Sequence, residues 1–253
     1  MRDNYLQALR RSRVTTHGEV EQAGSASRLF AGHFEGVVTV ENEFGSSRLG
    51  IGVMHDLDGE VVSINGTTYA IPPSGTPHEV DPSDTIAFGI SAHGGRRHKL
   101  HIPPGADLEG IKEAIDLALA KLHEDHEQIV CAVSIEGLFS DVLLRTVHHP
   151  DFEGGSLGDI IDDEIRFAFE QWRGTVVGFR YPDHSTGQTI PGLHLHGLGA
   201  DLLSGGHVRN LTAHEVTAEL WVDELHIAAS EETSDSGDLV DFDRYEGPVS
   251  ERS

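Results

Sequence analysis

Hydrophobic residues recur along this chain with two periods, and the change of period marks the elements. From residue 29 to 102 the runs HFEGVVTVENEF, RLGIGVM, EVVSING, TTYAI and DTIAFGISAHGGRRHKLHI mostly alternate apolar and polar positions, the period of strands with one buried face. Asn65-Gly66 separates two of these runs and predicts a two-residue hairpin turn, and Gly94-Gly95 marks a second turn. The period then lengthens. Leu108, Ile111, Ile115, Ala118, Leu119 and Leu122 share one helical face, with Asp107 placed to cap a helix that runs to about His123. Strands are expected over residues 128–135 and 139–147. A second helix is expected over residues 157–172, with Ile161, Ile165, Phe169 and Trp172 turned inward. Beyond Gly174 the strand pattern returns in TVVGFRY, IPGLHLHGL, HVRNLTA, EVTAELWV and ELHIAAS.

These elements predict a β-rich α+β fold, with two packed helices on antiparallel or mixed sheet regions. Three parts are expected: a polar, loosely held arm at 1–27, a mixed sheet region with the helices at 28–173, and a β region with a C-terminal tail at 174–253. The last two dozen residues are acidic and poor in apolar side chains, the composition of a tail without a core of its own.

Charge narrows the functional classes. Forty-two acidic residues stand against 18 basic ones, a net charge of −24, which opposes binding to nucleic acid phosphates. No segment has the roughly 18 consecutive apolar residues of a membrane span, and the N-terminal residues lack the apolar core of a secretory signal. A soluble, cytoplasmic protein is expected. Cys131, the single cysteine, lies in the apolar run IVCAVSI and reads as a buried strand residue. Arg96, Arg97, His98 and Lys99 form a basic knot, read as a solvated hairpin end.

The candidate chemistry lies in GLHLHGLGADLLSGGHV, residues 192–208. On a strand, residues two apart share a face, so His194 and His196 present their imidazoles together while Leu193 and Leu195 pack behind. A glycine-bearing hairpin returns the chain to His207, which reaches the same face if the two strands pair. Three imidazoles with open positions suit a catalytic zinc ion, and also iron, cobalt or manganese. Two rival readings fit parts of this pattern. A cupin-like dioxygenase would take Asp201, five residues after His196, as an acidic ligand. A non-catalytic metal-binding module would need the histidines alone.

The residues 174–208 resemble the alpha-acetolactate decarboxylase family, which shows the same succession of strand, His-x-His, hairpin and Gly-Gly-His-Val. DLDGEVVSINGTTYAI (residues 56–71), IEGLFSDVLLRTV (residues 135–147) and YEGP near the end are similar to further segments of that family. The resemblance implies a zinc ion, or another divalent transition metal, on His194, His196 and His207. It implies catalytic roles for Glu60, Arg145 and a C-terminal Glu246 that folds back over the site. It further implies a small 2-hydroxy-3-keto acid as substrate, decarboxylation of 2-acetolactate to acetoin and CO2, and a homodimer. In that reaction the metal polarises the ketone, Arg145 orients the carboxylate and a glutamate protonates the enediolate. Three departures stand out. Val53 replaces a threonine of the family's Gly-Thr-Phe-Asn segment, the short ENEFGSS replaces a helical insert, and Gly197 replaces an aromatic residue. The last change predicts a wider pocket and a longer 2-alkyl group.

Overall fold

The computed structural model describes residues 19–123, 126, 129–148, 163–182 and 192–227. In chain order its strands are β1 (Glu19–Ala23), β2 (Val38–Thr39), β3 (Leu49–Met54), β4 (Glu60–Ile64), β5 (Thr67–Ile71), β6 (His78–Glu79), β7 (Thr85–His93), β8 (Arg96–Leu100), β9 (Val130–Thr146), β10 (Ile165–Tyr181), β11 (Gly192–Gly199) and β12 (Gly205–Ile227). Its helices are α1 (Ala26–Phe30), α2 (Val40–Phe44) and α3 (Leu108–Leu122), with a single 3-10 turn at His55–Leu57.

The strands form two antiparallel regions joined edge to edge. One runs β1-β7-β3-β4-β5-β6, and the other runs β11-β10-β9-β12 and curls until β11 also pairs with the start of β12. The join is β1, antiparallel to β7 on one side and parallel to β12 on the other. Alternation sorts the side chains into layers. Val20, Ile51, Val62, Phe88, Ile90, Val177 and Phe179 form a core between the two regions. Ile111, Ile115 and Leu119 of α3 pack with Cys131, Val133, Ile135 and Leu220 on the far face of the second region. Val40 and Phe44 of α2 cover Val61, Ala70 and Ile86 on the far face of the first. Each fully buried isoleucine contributes about 1.5–3 kcal/mol.

The β-rich α+β class, the two sheet regions and the long helix agree with the sequence pattern. Asp107 caps α3 by accepting from the Gly110 N–H at 2.9 Å. Asn65 and Gly66 turn β4 into β5 with φ of 52° and 79°, as a tight hairpin twisted like its strands requires.

Other expectations need correction. The part of the predicted 157–172 helix from residue 165 onward is strand β10, paired with β9 from Ile165↔Thr146 onward; residues 157–162 lie outside the described residues. Ile165, Phe167 and Phe169 alternate with Arg166, Ala168 and Glu170, and this period of two decides the structure. The expected division at residue 173 therefore falls inside β10. Residues 19–27 of the expected polar arm hold β1 and the start of α1; residues 1–18 lie outside the described residues. The end of HFEGVVTVENEF is α2, capped by the Thr39 hydroxyl accepting from the Asn42 N–H. Gly94-Gly95 makes no hairpin: it carries the chain from β7 in one region to β8, which pairs with β12 in the other. The basic knot is β8, with Arg96, Arg97 and Lys99 exposed. No helix among the described residues is long and apolar enough to cross a membrane.

Candidate metal centre

The hairpin of β11 and β12 is the frame of the site. His196 and His207 are directly paired across the two strands, and His194 lies two residues along the same face. Leu195 and Val208, one step away from these histidines, point into the core under α3. All three imidazoles thus enter the layer between the two sheet regions, where His194 is 6%, His196 1% and His207 0% exposed. Gly206 makes the approach possible. Its φ is 138°, and a Cβ there would lie 2.4 Å from the Arg145 carbonyl oxygen, so a side chain would push β12 away from β9.

The donor atoms converge. Nε2 of His194 is 3.1 Å from Nε2 of His196 and 3.1 Å from Nδ1 of His207, and one nitrogen from each ring lies within 4.8 Å of the others. A divalent ion bonded at about 2.0–2.1 Å to each nitrogen fits donors spaced this way. Protonation also suits a metal. Burial, the largest influence, pushes His194 and His207 well below the ordinary imidazole value, with Arg145 and neighbouring histidines adding to it. His196 falls to about 3, chiefly through burial, although its bond to a backbone carbonyl opposes the shift. All three rings are neutral at physiological pH. The Val61 carbonyl accepts from Nδ1 of His196 at 2.8 Å, which places the proton on Nδ1 and leaves the Nε2 lone pair toward the centre.

The other side of the centre is charged. Arg145 on β9 is register-paired with His207, and Glu60 opens β4 from the opposing sheet region. Both are buried, at 6% and 4% exposure. An Arg145 Nη1–H donates to Glu60 Oε1, and Glu60 Oε2 lies 3.6 Å from Nε2 of His196. Burial is the main cause that raises the Glu60 pKa, opposed by the Arg145 charge and aided by Glu164. The turn before Glu60 is strained. Asp56 and Leu57 have φ of 54° and 59°, and Gly59 has 123°. Such strain persists where the surroundings fix it, here in aiming one carboxylate at the histidines.

Five of the six site residues expected from the sequence come together: His194, His196, His207, Arg145 and Glu60. Glu246 lies outside the described residues. Asp201 does not join them. It is exposed at the hairpin tip and accepts from the Leu203 N–H, so the acidic ligand of the cupin-like reading is lost. Gly197 faces away from the histidines. A Cβ there would meet Trp172 and Leu144 in the core under α3, so the expectation that this glycine widens the pocket does not hold. Val53, in place of the family's threonine, is paired directly opposite Glu60 on β3. Sequence reasoning missed Glu164, whose buried side chain lies against Arg145, Arg166 and Arg209.

These features define a β-rich protein with a buried three-histidine centre flanked by an arginine and a glutamate. A family model for alpha-acetolactate decarboxylase matches residues 20–235, and the chain belongs to that family. It is similar to alpha-acetolactate decarboxylases of Methanosarcina mazei (29% identity over 206 residues, 81% of this chain and 70% of the relative) and Brevibacillus brevis (27% over 199 residues, 79% and 68%). Its fold is similar to the crystal structure of alpha-acetolactate decarboxylase from Bacillus subtilis strain 168, with a TM-score of 0.73 and 25% identity, covering 84% of this chain and 90% of that one.

Proposed function

We propose that this chain is an acetolactate decarboxylase that converts 2-acetolactate to acetoin and CO2 at a divalent metal, zinc by preference, held by His194, His196 and His207. The observation that carries the reading is the convergence of three neutral, buried imidazoles with Arg145 and Glu60 in one water-poor layer. A divalent ion bound there would supply Lewis-acid polarisation of the substrate's ketone, worth several kcal/mol.

The chain's own residues account for the rest. Arg145 presents a planar set of donors that fits a carboxylate. Holding that group out of the plane of the adjacent ketone aligns the breaking bond with the carbonyl π system. When the bond breaks, CO2 leaves and its electron pair passes into the ketone as an enediolate. Protonation at the carbon that lost CO2 then gives acetoin. In this reading Glu60 delivers that proton, supported by burial, which favours its protonated form, and by its second oxygen lying 3.6 Å from Nε2 of His196. Ile71, fully buried and paired with Glu60 across β4 and β5, limits water that would otherwise compete as proton source. Glu246 is assigned to the metal side of the site and the chain to a homodimer, both on the family resemblance.

Supplying racemic acetolactate to metal-loaded protein tests the reading. The expected result is acetoin and CO2 in equal amounts without oxygen consumption. Oxygen uptake would favour a dioxygenase, and no turnover would leave a metal-binding module.

A further inference from the structure

Glu164 is a buried carboxylate that the mechanism above does not use. Its side chain is 2% exposed just before β10, amid arginines from three strands: Nε of Arg166 at 2.6 Å, Nε of Arg145 at 3.2 Å and Nε of Arg209 at 3.7 Å. Buried ion pairs add little net stability, because desolvation offsets the attraction. Orientation is what such a pair supplies. Arg145 is contacted by two carboxylates at different atoms, Glu60 at Nη1 and Glu164 at Nε, and two contacts fix a guanidinium plane that one would leave free to turn. The Nε of Arg145 and Oε2 of Glu164 face each other without a hydrogen-bond partner. A small rotation would close that bond, as catalytic contacts often do once substrate is present.

We propose that Glu164 is the positioning residue for Arg145: it holds the guanidinium through Nε while the Nη atoms pass from Glu60 to the substrate's carboxylate. Glu60 cannot both anchor Arg145 and deliver a proton to the product carbon. With Glu164 as the standing partner, Glu60 is released for the second task. The inference rests on the decarboxylase reading for its purpose, but the contact itself is independent of it.

The test combines kinetics, metal analysis and exchange of the Arg145 Nε proton in the metal-loaded protein. Glu164→Gln keeps the shape and removes the charge. It is expected to lower kcat/KM about 10- to 100-fold, mostly in kcat, as a slight misplacement of a catalytic group does, with metal content unchanged. In an Arg145→Ala background the same substitution should change the residual rate less than twofold, and Glu164→Asp should restore part of the lost rate. A Glu164→Gln enzyme within twofold of wild type overturns the proposal. So does an undiminished loss in the Arg145→Ala background, or a loss that tracks metal content. If wild type does not turn over acetolactate, the functional reading fails and proton exchange decides the contact alone. Exchange at Arg145 Nε at least tenfold faster in Glu164→Asp supports the clamp, and equal rates overturn it. The same comparison applies if Glu164→Gln does not fold.

Discussion

The strands β9, β11 and β12 carry two different surfaces on their two faces. Toward α3 they present Leu144, Leu195 and Val208, part of an apolar cluster with Ile111, Ile115 and Leu119. Toward the other sheet region, one residue along each strand, they present Arg145, His194, His196 and His207. The same backbone positions both sets, so the difference is a matter of register alone. A one-residue slip would exchange the histidines for the apolar residues and glycines beside them and abolish core and centre together. Chemistry on strands is thus stabilised by the very packing that hides behind it, and the two faces should fail in different ways.

The largest expected effect is on the histidine face. His196→Ala removes one of three ligands, and activity should fall about a thousandfold or more, matching the several kcal/mol supplied by a Lewis acid. Bound metal should fall with it, read by elemental analysis. Arg145→Ala should separate the two functions of that face, keeping the metal while kcat/KM falls about a hundredfold, the usual cost of one lost charge-stabilising donor. Steady-state kinetics on metal-loaded protein would show it, and a fully active variant would contradict the assigned role. On the α3 face, Ile115→Ala should cost about 2–5 kcal/mol of stability in urea unfolding, with metal content and kcat retained at temperatures where the variant is folded.

Glu43 sharpens the contrast from a third direction. Like Glu60 it is a buried carboxylate, but its hydrogen bond comes from the Ser91 hydroxyl at 3.0 Å rather than from an arginine. Burial raises its pKa to about 7, with Glu21 adding to the shift and the Ser91 bond opposing it. The folded state therefore holds this proton more tightly than the unfolded one. Below about pH 4.5 the group carries no penalty; between about pH 4.5 and 7 only the unfolded chain releases this proton, so stability falls by roughly 3 kcal/mol and levels off once the folded protein ionises too. Denaturant unfolding at pH 5 and pH 8.5 should show that decline, and Glu43→Gln should lessen it.

What the sequence shows of this design depends on how local each signal is. The 3–4 spacing from Leu108 to Leu119 specifies α3, and Asn65-Gly66 specifies its hairpin, because both are fixed by neighbours in the chain. The metal hairpin was legible for the same reason: two histidines two apart, a glycine turn and a third histidine give the pairing of His196 with His207. β10 was misread because Ile165, Phe169 and Trp172 also satisfy helical spacing, and only the intervening Phe167 reveals the alternation. β1 was missed because EVEQA is polar; its place comes from backbone pairing with β12 and β7 rather than from a hydrophobic pattern. Glu164 had no local mark among 42 acidic residues. Only the convergence of β9, β10 and β12 sets it among three arginines.

The central claim is that three imidazoles from one hairpin hold a single ion, and equilibrium binding of zinc to metal-stripped protein tests it most directly. The account predicts one tight site per chain in the wild type and its disappearance in both His194→Ala and His207→Ala. Equal binding by these variants and the wild type would contradict it.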